Sequence, residues 1–574
     1  MNMKKYLLIS LAALGFAACN KSDDIDSPAH NGEVEESYIA INLMSADKNA
    51  TRAATDSYGY EDGTEAERAI KSAYFFFFDE AGNPFSVTAN EDNQATAPGT
   101  VKNHLSLAIT DQDPAASDKP NVSDIKKAVL ILNTYKGVYP SKIVAVLNWV
   151  PTENTYTLTA LHENLATIGN DENGYVMSNS VYMDGAGNFI DAVPLTAANI
   201  KTTSEAAMKA PVDIYVERTA AKVVLTASGK VQNTENIFST QKQSTPVLSA
   251  GTSSAIDVYV KLLGWELYND YATSNLLKNI SNWDVTTLGL TWNDIPYYRC
   301  YWADSQDTNP GDSFAWEYSD DDKTAKGFQT NYGFNVASAA NYTDRKTYTY
   351  CGENTNVETL RTKVILKGQL MKKNGENYEP LELARWYGTE YAGNLALRTA
   401  VANSLKYTLY YMDGDNYVGI APEHLECVAG IEGNQAYEVG FHLSNGGEGK
   451  TWYKYSSENG YQIIGSVETN KAETNAYLEK VEPALVYAQG QTYYYIDIKH
   501  LGTEGKGAEY GVVRNHVYQI DIESIKGYGS PVYIGTSNIV TPPDYPEEDE
   551  SSYVAARINV LSWKVVKQGV NVGQ

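Results

Sequence analysis

Few side chains in this 574-residue sequence are spaced for chemistry. Ser444–Thr451 (SNGGEGKT) is one residue from a phosphate-binding loop, with Ser444 where the first Gly belongs. Such a loop must join a strand to a helix N-terminus, so that backbone N–H groups face the phosphates. The flanking Tyr437–Leu443 and Trp452–Tyr455 read instead as the arms of a β hairpin. Asp413-Gly414-Asp415-Asn416 hints at a calcium loop, but no Glu stands at the twelfth position, which leaves a turn. The seven His (30, 104, 162, 424, 442, 500 and 516) form no HExxH pattern, and there is no GxSxG elbow for a nucleophile. Carboxylate pairs such as Asp257 and Glu266 are inevitable among 71 acidic residues. Trp265, Trp283, Trp292, Trp302 and Trp316 are dense enough to stack sugars, with core or loop packing as the plainer reading. No catalytic, metal-ligating or cofactor-binding constellation emerges, so the chain is expected not to be an enzyme and to carry no cofactor.

The charges and cysteines restrict partners and compartment. With 71 acidic and 45 basic residues the formal charge is −26, which repels phosphate and excludes nucleic acid as a partner. Apolar residues make up 43% and charged residues 20%, which excludes a globally disordered chain. Of the four Cys, Cys19 follows a short N-terminal segment with Lys4, Lys5 and the apolar run Tyr6–Ala18, the pattern of a secretory signal. That run is too short to span a bilayer comfortably. Leu14-Gly15-Phe16-Ala17-Ala18-Cys19 resembles a bacterial lipobox, which implies cleavage before Cys19 and lipidation of its thiol; an ordinary signal with an incidental Cys is the alternative. Cys300, Cys351 and Cys427 match no zinc spacing and cannot all pair. They read as buried or half-buried thiols, with a Cys300–Cys351 bridge left open.

The elements around these residues are mostly strands. Residues 20–36 are polar, and Tyr38–Leu43 then alternates, with Ile39, Ile41 and Leu43 on one face. Ser45–Asp56 (SADKNATRAATD) is a small, polar loop holding Arg52 and Ala53. Ala73–Phe78 contains four consecutive Phe, which requires burial on both faces. Lys127–Asn133 and Ile143–Trp149 are further strands, Tyr182–Ile190 a hairpin, and Val122–Lys127 and Leu158–Ile168 short helices. Pro211–Leu225 looks like a fresh start, which puts a domain boundary near residue 210. Strand signals follow at Ile256–Tyr268, Thr362–Leu370, Lys406–Tyr411, Thr492–Ile498 and Val512–Ile522, with long loops and short helices between Tyr268 and Cys351. Thr541–Ser552 (TPPDYPEEDESS) is an extended linker. Beyond it Val554–Val572 alternates: Ile558 and Val560 share one face, Leu561, Trp563 and Val565 the next, and Val570 and Val572 continue. The face switch at Val560–Leu561 implies a bulge or a change of partner.

Several of these segments together resemble the Mfa-like and FimA-like fimbrillins, the pilus subunits of Bacteroidota. Tyr510–Ile522 (YGVVRNHVYQIDI) is similar to that family's C-terminal signature, and Val216–Leu225 (VERTAAKVVL) to the strand that opens its second domain. Tyr350–Thr355 (YCGENT) and Thr362–Leu370 (TKVILKGQL) fit as well, and so does the order of lipobox, early strand, Arg loop, two β domains, linker and terminal strand. The polar acidic tether Asn20–Asp26 resembles the export signals of surface lipoproteins in that phylum.

The resemblance implies a mainly β chain of two transthyretin-like β-sandwich domains. Its parts would be a signal (1–18), a propeptide with a removable strand (19–52), sandwich domains at 53–210 and 211–540, a linker (541–553) and a donor strand (554–574). It further implies export as a lipoprotein through Cys19 to the outer membrane and trimming by an Arg-specific protease between Arg52 and Ala53. Copies would then join head to tail by donor-strand exchange, with accessory anchor and tip subunits, in a cell-surface fimbria serving adhesion; the alternative for Val554–Val572 is that it closes the second domain of its own chain. The competing reading is a surface glycan-binding lipoprotein with Trp platforms, which would stay lipidated and full length. A secreted hydrolase lacks any site.

Overall fold

In the computed structural model, residues 34–45, 63–87, 102–106, 110–111, 124–135, 138–183, 189–229, 231, 236–244, 256–281, 298–300, 302–306, 348–429, 431, 438–500, 509–531, 553–561 and 565–568 are described. The chain is mainly β, as its alternation predicted. Val34–Ser45 (β1), Ala73–Phe78 (β2), His104–Ser106 (β3), Thr110–Asp111 (β4), Asp124–Tyr135 (β5), Lys142–Leu147 (β6), Met177–Asn179 (β7), Val193–Pro194 (β8) and Val212–Arg218 (β9) form one nine-stranded sheet. Its order is β3-β2-β6-β7-β9-β1-β5-β4, with β8 on β6. The four Phe of β2 are fully buried. Phe75 and Phe77 join Ile39, Leu130, Leu132, Ile214 and Val216 in one core, while Phe76 and Phe78 join Val144, Val146 and Leu161 in another. That division is the period-2 alternation of a strand covered on both faces.

The second unit is a sandwich. Ala220–Thr226 (β10), Ile237–Ser244 (β11), Ile256–Tyr268 (β12), Tyr348–Gly352 (β13), Lys363–Asn374 (β14) and Asn377–Pro380 (β15) are completed late in the chain by five more strands. Those are Gln491–Asp497 (β25), Val517–Lys526 (β26), Ser530–Pro531 (β27), Tyr553–Leu561 (β28) and Val565–Gln568 (β29). One sheet runs β13-β10-β26-β28-β29 and the other β11-β12-β14-β25-β27, with β15 on β14. Val223, Leu225, Ile520 and Ile522 of the first sheet meet Val260, Trp265, Leu366 and Tyr494 of the second. At 25 cal/mol/Å², fully burying each such side chain contributes about 1.5–3 kcal/mol.

Between β15 and β25 the chain leaves this sandwich and builds a unit with its own core, which the sequence reading did not separate. Leu383–Trp386 (β16), Thr389–Ala392 (β17), Leu425–Ala429 (β20), Glu438–Leu443 (β21) and Ala484–Tyr487 (β24) form one sheet. Leu409–Asp413 (β18), Asn416–Gly419 (β19), Trp452–Ser456 (β22) and Gly460–Ile463 (β23) form another. The helix Asn394–Leu405 packs Leu397, Val401 and Leu405 against both.

The structure corrects several expectations. The stretch Val122–Lys127 is not helical from Asp124 onward but enters β5, whose twelve-residue pairing with β1 overrides local propensity. The strand that starts at Val212 belongs to the first sheet, so the chain passes between the units at Thr219 rather than near 210. Tyr437–Leu443 and Trp452–Tyr455 are not the arms of a hairpin: β21 and β22 lie in different sheets, joined by a four-residue helix. The glycine in that link is required by packing, because a Cβ on Gly447 would stand 2.6 Å from the His424 carbonyl oxygen. Lys406 caps a helix, and its strand begins only at Leu409. The terminal segment is two antiparallel strands, β28 and β29, and its register runs unbroken through Val560 and Leu561. The bulge falls on β26 between Ile522 and Ser524. The Thr541–Ser552 linker lies outside the described residues.

Phe76 packs its ring against His104 at 5.1 Å and Tyr156 at 5.6 Å. We expect Phe76→Ala to lower stability by about 3–5 kcal/mol in urea unfolding, whereas Leu395→Ala at an exposed position should change it by under about 0.5 kcal/mol. Burial pushes the His104 pKa down to about 4, with Lys102 adding to the effect. The neutral ring is therefore the folded form; its stability is complete above 6.5 and is lost as pH falls from 6.5 toward 4. Unfolding midpoints should drop across that window and flatten there in His104→Phe.

Candidate functional site

β1 stands inside the first sheet, parallel to β9 from Ile41↔Val212 to Ser45↔Val216. On its other side it runs antiparallel to β5, from Val34↔Tyr135 to Ser45↔Asp124. Its alternation is what allows this: Ile39 is fully exposed to the core and 0% to solvent, opposite the equally buried Leu130. Ile41 stands level with Ala128 and Val212, and Leu43 with Lys126 and Ile214. A sheet lacking β1 would present two facing edges, β5 and β9, each with unpaired backbone N–H and C=O groups. Such a slot takes another strand by main-chain hydrogen bonding, and its apolar floor selects alternate side chains.

The last described strands close the sandwich of their own chain. β28 pairs with β26 over nine residues, with Ile558 opposite Ile520, Val560 opposite Tyr518 and Leu561 opposite Val517. β29 then pairs Val565 with Leu561. In an isolated chain the tether makes this pairing intramolecular and so favours it by effective concentration. Cys19, Arg52, Ala53, Trp563, Val570 and Val572 lie outside the described residues.

Between the two units lies a cluster of buried charges that sequence reasoning missed as such. Arg514 is fully buried and donates Nε to a Glu353 carboxylate oxygen at 2.6 Å, and Nη2 to the other oxygen and to the Asn275 carbonyl. Lys278 pairs with Glu217 at 2.6 Å and donates to the Cys300 carbonyl at 2.7 Å. Lys222 pairs with Glu67 at 2.8 Å, and the Tyr350 hydroxyl donates to the same carboxylate. Arg218 donates Nε to the Glu67 carbonyl at 2.6 Å and Nη1 to the Asn515 side chain at 3.2 Å. Glu67 is positioned by a capping box: Thr64 N–H donates to its carboxylate at 2.6 Å and its own N–H donates to the Thr64 hydroxyl at 3.2 Å. Burial alone would raise the Glu67 pKa, but Lys222 and Arg218 more than offset it and hold the carboxyl below its usual 4.5. Its contribution is therefore present above 4.5 and lost as pH falls through the lower folded value. Burial works against the Arg514 charge too, and Glu353 and Glu217 outweigh it.

These residues come from the strings singled out in the sequence. VERTAAKVVL supplies Glu217, Arg218 and Lys222, YCGENT supplies Glu353, and YGVVRNHVYQIDI supplies Arg514 and Asn515. A charge inside an apolar strand string was the available signal. His500 Nδ1 lies 2.9 Å from the Tyr518 hydroxyl, which also accepts from Val513 N–H at 2.7 Å. The cluster holds ions in fixed pairs drawn from both units.

Other sequence candidates resolve simply. Cys300 and Cys351 are buried and Cys427 half-buried, and no disulfide joins the first two. Trp265 and Trp302 are 1% and 4% exposed and offer no platform to a sugar. Trp283, Trp292 and Trp316 lie outside the described residues. Asp413 and Asn416 pair across a hairpin turn. Among the described residues, no group of three or more His, Cys, Asp or Glu is gathered for a metal ion, and no helix is long and apolar enough to cross a membrane.

Residues 485–569, from β24 to just beyond β29, match the family described as major fimbrial subunit protein type IV, fimbrillin, C-terminal. The resemblance read from Tyr510–Ile522 is borne out there. Solved structures similar to this chain include a candidate cell adhesion protein from Parabacteroides distasonis, at 11% identity and TM-score 0.34, covering 94% of this chain and 100% of that one. A fimbrilin from Porphyromonas gingivalis aligns at 12% identity and TM-score 0.33, covering 92% and 98%. A tip fimbrial protein with a C-terminal truncation, from the same organism, aligns at 10% and 0.29, covering 92% and 100%. No curated protein matches in sequence.

Removing one partner from a buried ion pair leaves an uncompensated charge. Glu353→Ala should therefore cost about 3–5 kcal/mol in urea unfolding. The double change Glu353→Leu with Arg514→Met should recover most of that loss. A Glu353→Ala variant within about 1 kcal/mol of the parent would show that the pair carries little of the junction.

Proposed function

We propose that this chain is a structural subunit of a cell-surface fimbria, trimmed between Arg52 and Ala53 and joined to its neighbours by exchange of terminal strands. The observation that carries this reading is the position of β1, an interior strand of the first sheet that precedes the Arg52 loop in the chain. A cut there leaves 574 − 52 = 522 residues and turns β1 into a separate peptide held only by packing and backbone pairing. Its release opens the slot between β5 and β9. The occupant is the terminal segment of a neighbouring copy, with Ile558, Val560 and Leu561 of β28 and Val565 of β29 as the inserting positions, followed by Val570 and Val572. Nine residues of β28 span about 30 Å, against about 40 Å for the twelve of β1. Exchange gives up the β26–β28 pairing and replaces the two ladders that β1 made with β5 and β9 by two intermolecular ones.

The fimbrillin match over residues 485–569 supports the same reading. Lipidation at Cys19 holds the precursor at the outer membrane until the Arg-specific protease acts, and the fimbria then links copies of this chain to anchor and tip subunits. No cofactor or nucleic acid is needed, and no residue acts as a catalyst. The competing glycan-binding reading draws no support from Trp265 and Trp302, which are core residues.

Arg52→Ala should leave the precursor untrimmed and monomeric, while the parent, exposed to an Arg-specific protease, begins at Ala53 and forms ladders on gels. Fibres of normal length from the variant would refute the processing step. A chain lacking residues 553–574 should be trimmed but fail to extend. Cysteines placed at Val212 and Ile558 should cross-link between chains, and cross-links confined to one chain would remove the donor role.

A further inference from the structure

The unit built between β15 and β25 has a face that none of the assembly steps uses. Its four-stranded sheet runs β19-β18-β22-β23. Leu409, Tyr411 and Trp452 point from it into the unit's core. The register places Tyr410 opposite Tyr453, Tyr453 opposite Ile463, and Tyr455 opposite Tyr461. Directly paired residues share a face, and alternation puts this set on the side away from Leu409 and Trp452. Tyr417, which stands opposite Met412, joins it. The outer face therefore carries Tyr410, Met412, Tyr417, Tyr453, Tyr455, Tyr461 and Ile463, with Gly419 opposite Tyr410.

These rings are arranged rather than scattered. Tyr417 and Tyr461 come from the two edge strands and stack at 3.7 Å with 4° between their planes. Tyr410 meets Tyr461 edge-on at 5.0 Å and 89°, and Tyr453 meets Tyr417 at 5.2 Å. Tyr455 lies 4.8 Å from Tyr461. Yet Tyr417, Tyr455 and Tyr461 remain 38–39% exposed, and Ile463 37%. A contiguous exposed aromatic face of this kind marks an interaction site. Tyrosine suits one because its ring is large, rigid and hydroxylated, with few rotors to freeze.

Charge selects the partner. None of these outer positions holds a carboxylate or a basic side chain, although the chain carries −26. Lys454, the one lysine in these four strands, is on the other side, over the Tyr477 ring at 5.3 Å. An anionic ligand finds no cation on the face, and a second copy of this polyanion is opposed by its own charge. An extended peptide would take the free edges of β19 or β23 rather than the side chains between them. A neutral aromatic surface of tyrosine rings fits the C–H face of a pyranose, with phenolic O–H groups available to the sugar hydroxyls. We propose that this face binds an uncharged oligosaccharide. The inference does not rest on the fimbrial reading, because it concerns the isolated chain.

The test applies the purified full-length chain to a printed array of neutral oligosaccharides built from glucose, galactose, mannose and N-acetylglucosamine, beside sialylated and sulfated ones. The strongest neutral binder is then titrated calorimetrically. We expect neutral binding that weakens at least 10-fold in Tyr417→Ala with Tyr461→Ala and is largely retained when both become Phe. If the alanine pair loses its folded circular dichroism, Ile463→Asp, at an exposed edge position, should weaken binding to the same degree. Absence of any neutral binder, binding confined to acidic glycans, or affinities unmoved by these variants would overturn the proposal. So would a concentration-dependent dimer in sedimentation that the same variants abolish, since it would make the face a contact between copies.

Discussion

Buried charge at the crossing between the first two units is the constraint on which the remaining architecture depends. Arg514, Lys222, Lys278 and Arg218 are almost wholly removed from water, and each is met by a carboxylate, a carbonyl or an amide from a different part of the chain. Desolvating such ions is costly, and only a near-complete set of partners offsets it. The partners exist only when the α1 turn at Glu65–Arg68, the ends of β9 and β10, the loop after β13 and the approach to β26 all stand in place. A misaligned crossing would strand several charges at once. The cluster thus gives the packing of apolar sheets, which is tolerant by itself, a specific relative position.

That position decides what the two ends of the chain can do. Thr219 is the only residue between β9 and β10, so the neighbour of β1 runs almost directly into the strand that pairs with β26. The Thr219 carbonyl accepts from Ser274, whose hydroxyl in turn accepts from the Glu353 N–H at 3.0 Å, which ties this link into the ionic cluster. The first sheet is further covered by Leu276 and Leu277, residues that follow β12 in the second unit. Each unit therefore completes the other, and neither slot nor terminal hairpin is built on a free-standing domain.

How far the sequence revealed this varies with the range of the interactions. Short-range periodicity is decisive where burial is one-sided or complete: β1 and the four-Phe strand β2 were legible, and β12 has the bounds its alternation predicts. Boundaries depending on pairing were not. Val122–Lys127 has residues a helix accepts, and only twelve pairs with β1 make it a strand. Val212–Arg218 reads as the start of something new because it is apolar and β-branched, yet its partners lie in the preceding sheet. The ion pairs join residues from 278 − 217 = 61 to 161 positions apart, and nothing in the local string says which carboxylate meets which cation, although charges inside apolar strings marked where to look. The intervening unit was missed because its strands are as short and alternating as those of the sandwich it interrupts.

The near-direct passage from β9 into β10 also has a mechanical meaning. Tension applied between β1 and β26 passes from β1 to β9 through parallel backbone pairing, across Thr219, and from β10 to β26 through a second parallel ladder. In both ladders the load runs along the strands, so hydrogen bonds are strained together in shear instead of opening one after another from an end. The polypeptide link is one residue long, which leaves almost no slack to be drawn out before the ladders bear the force. A chain built this way resists pulling along its length while its lateral loops and the intervening unit stay outside the path of the load.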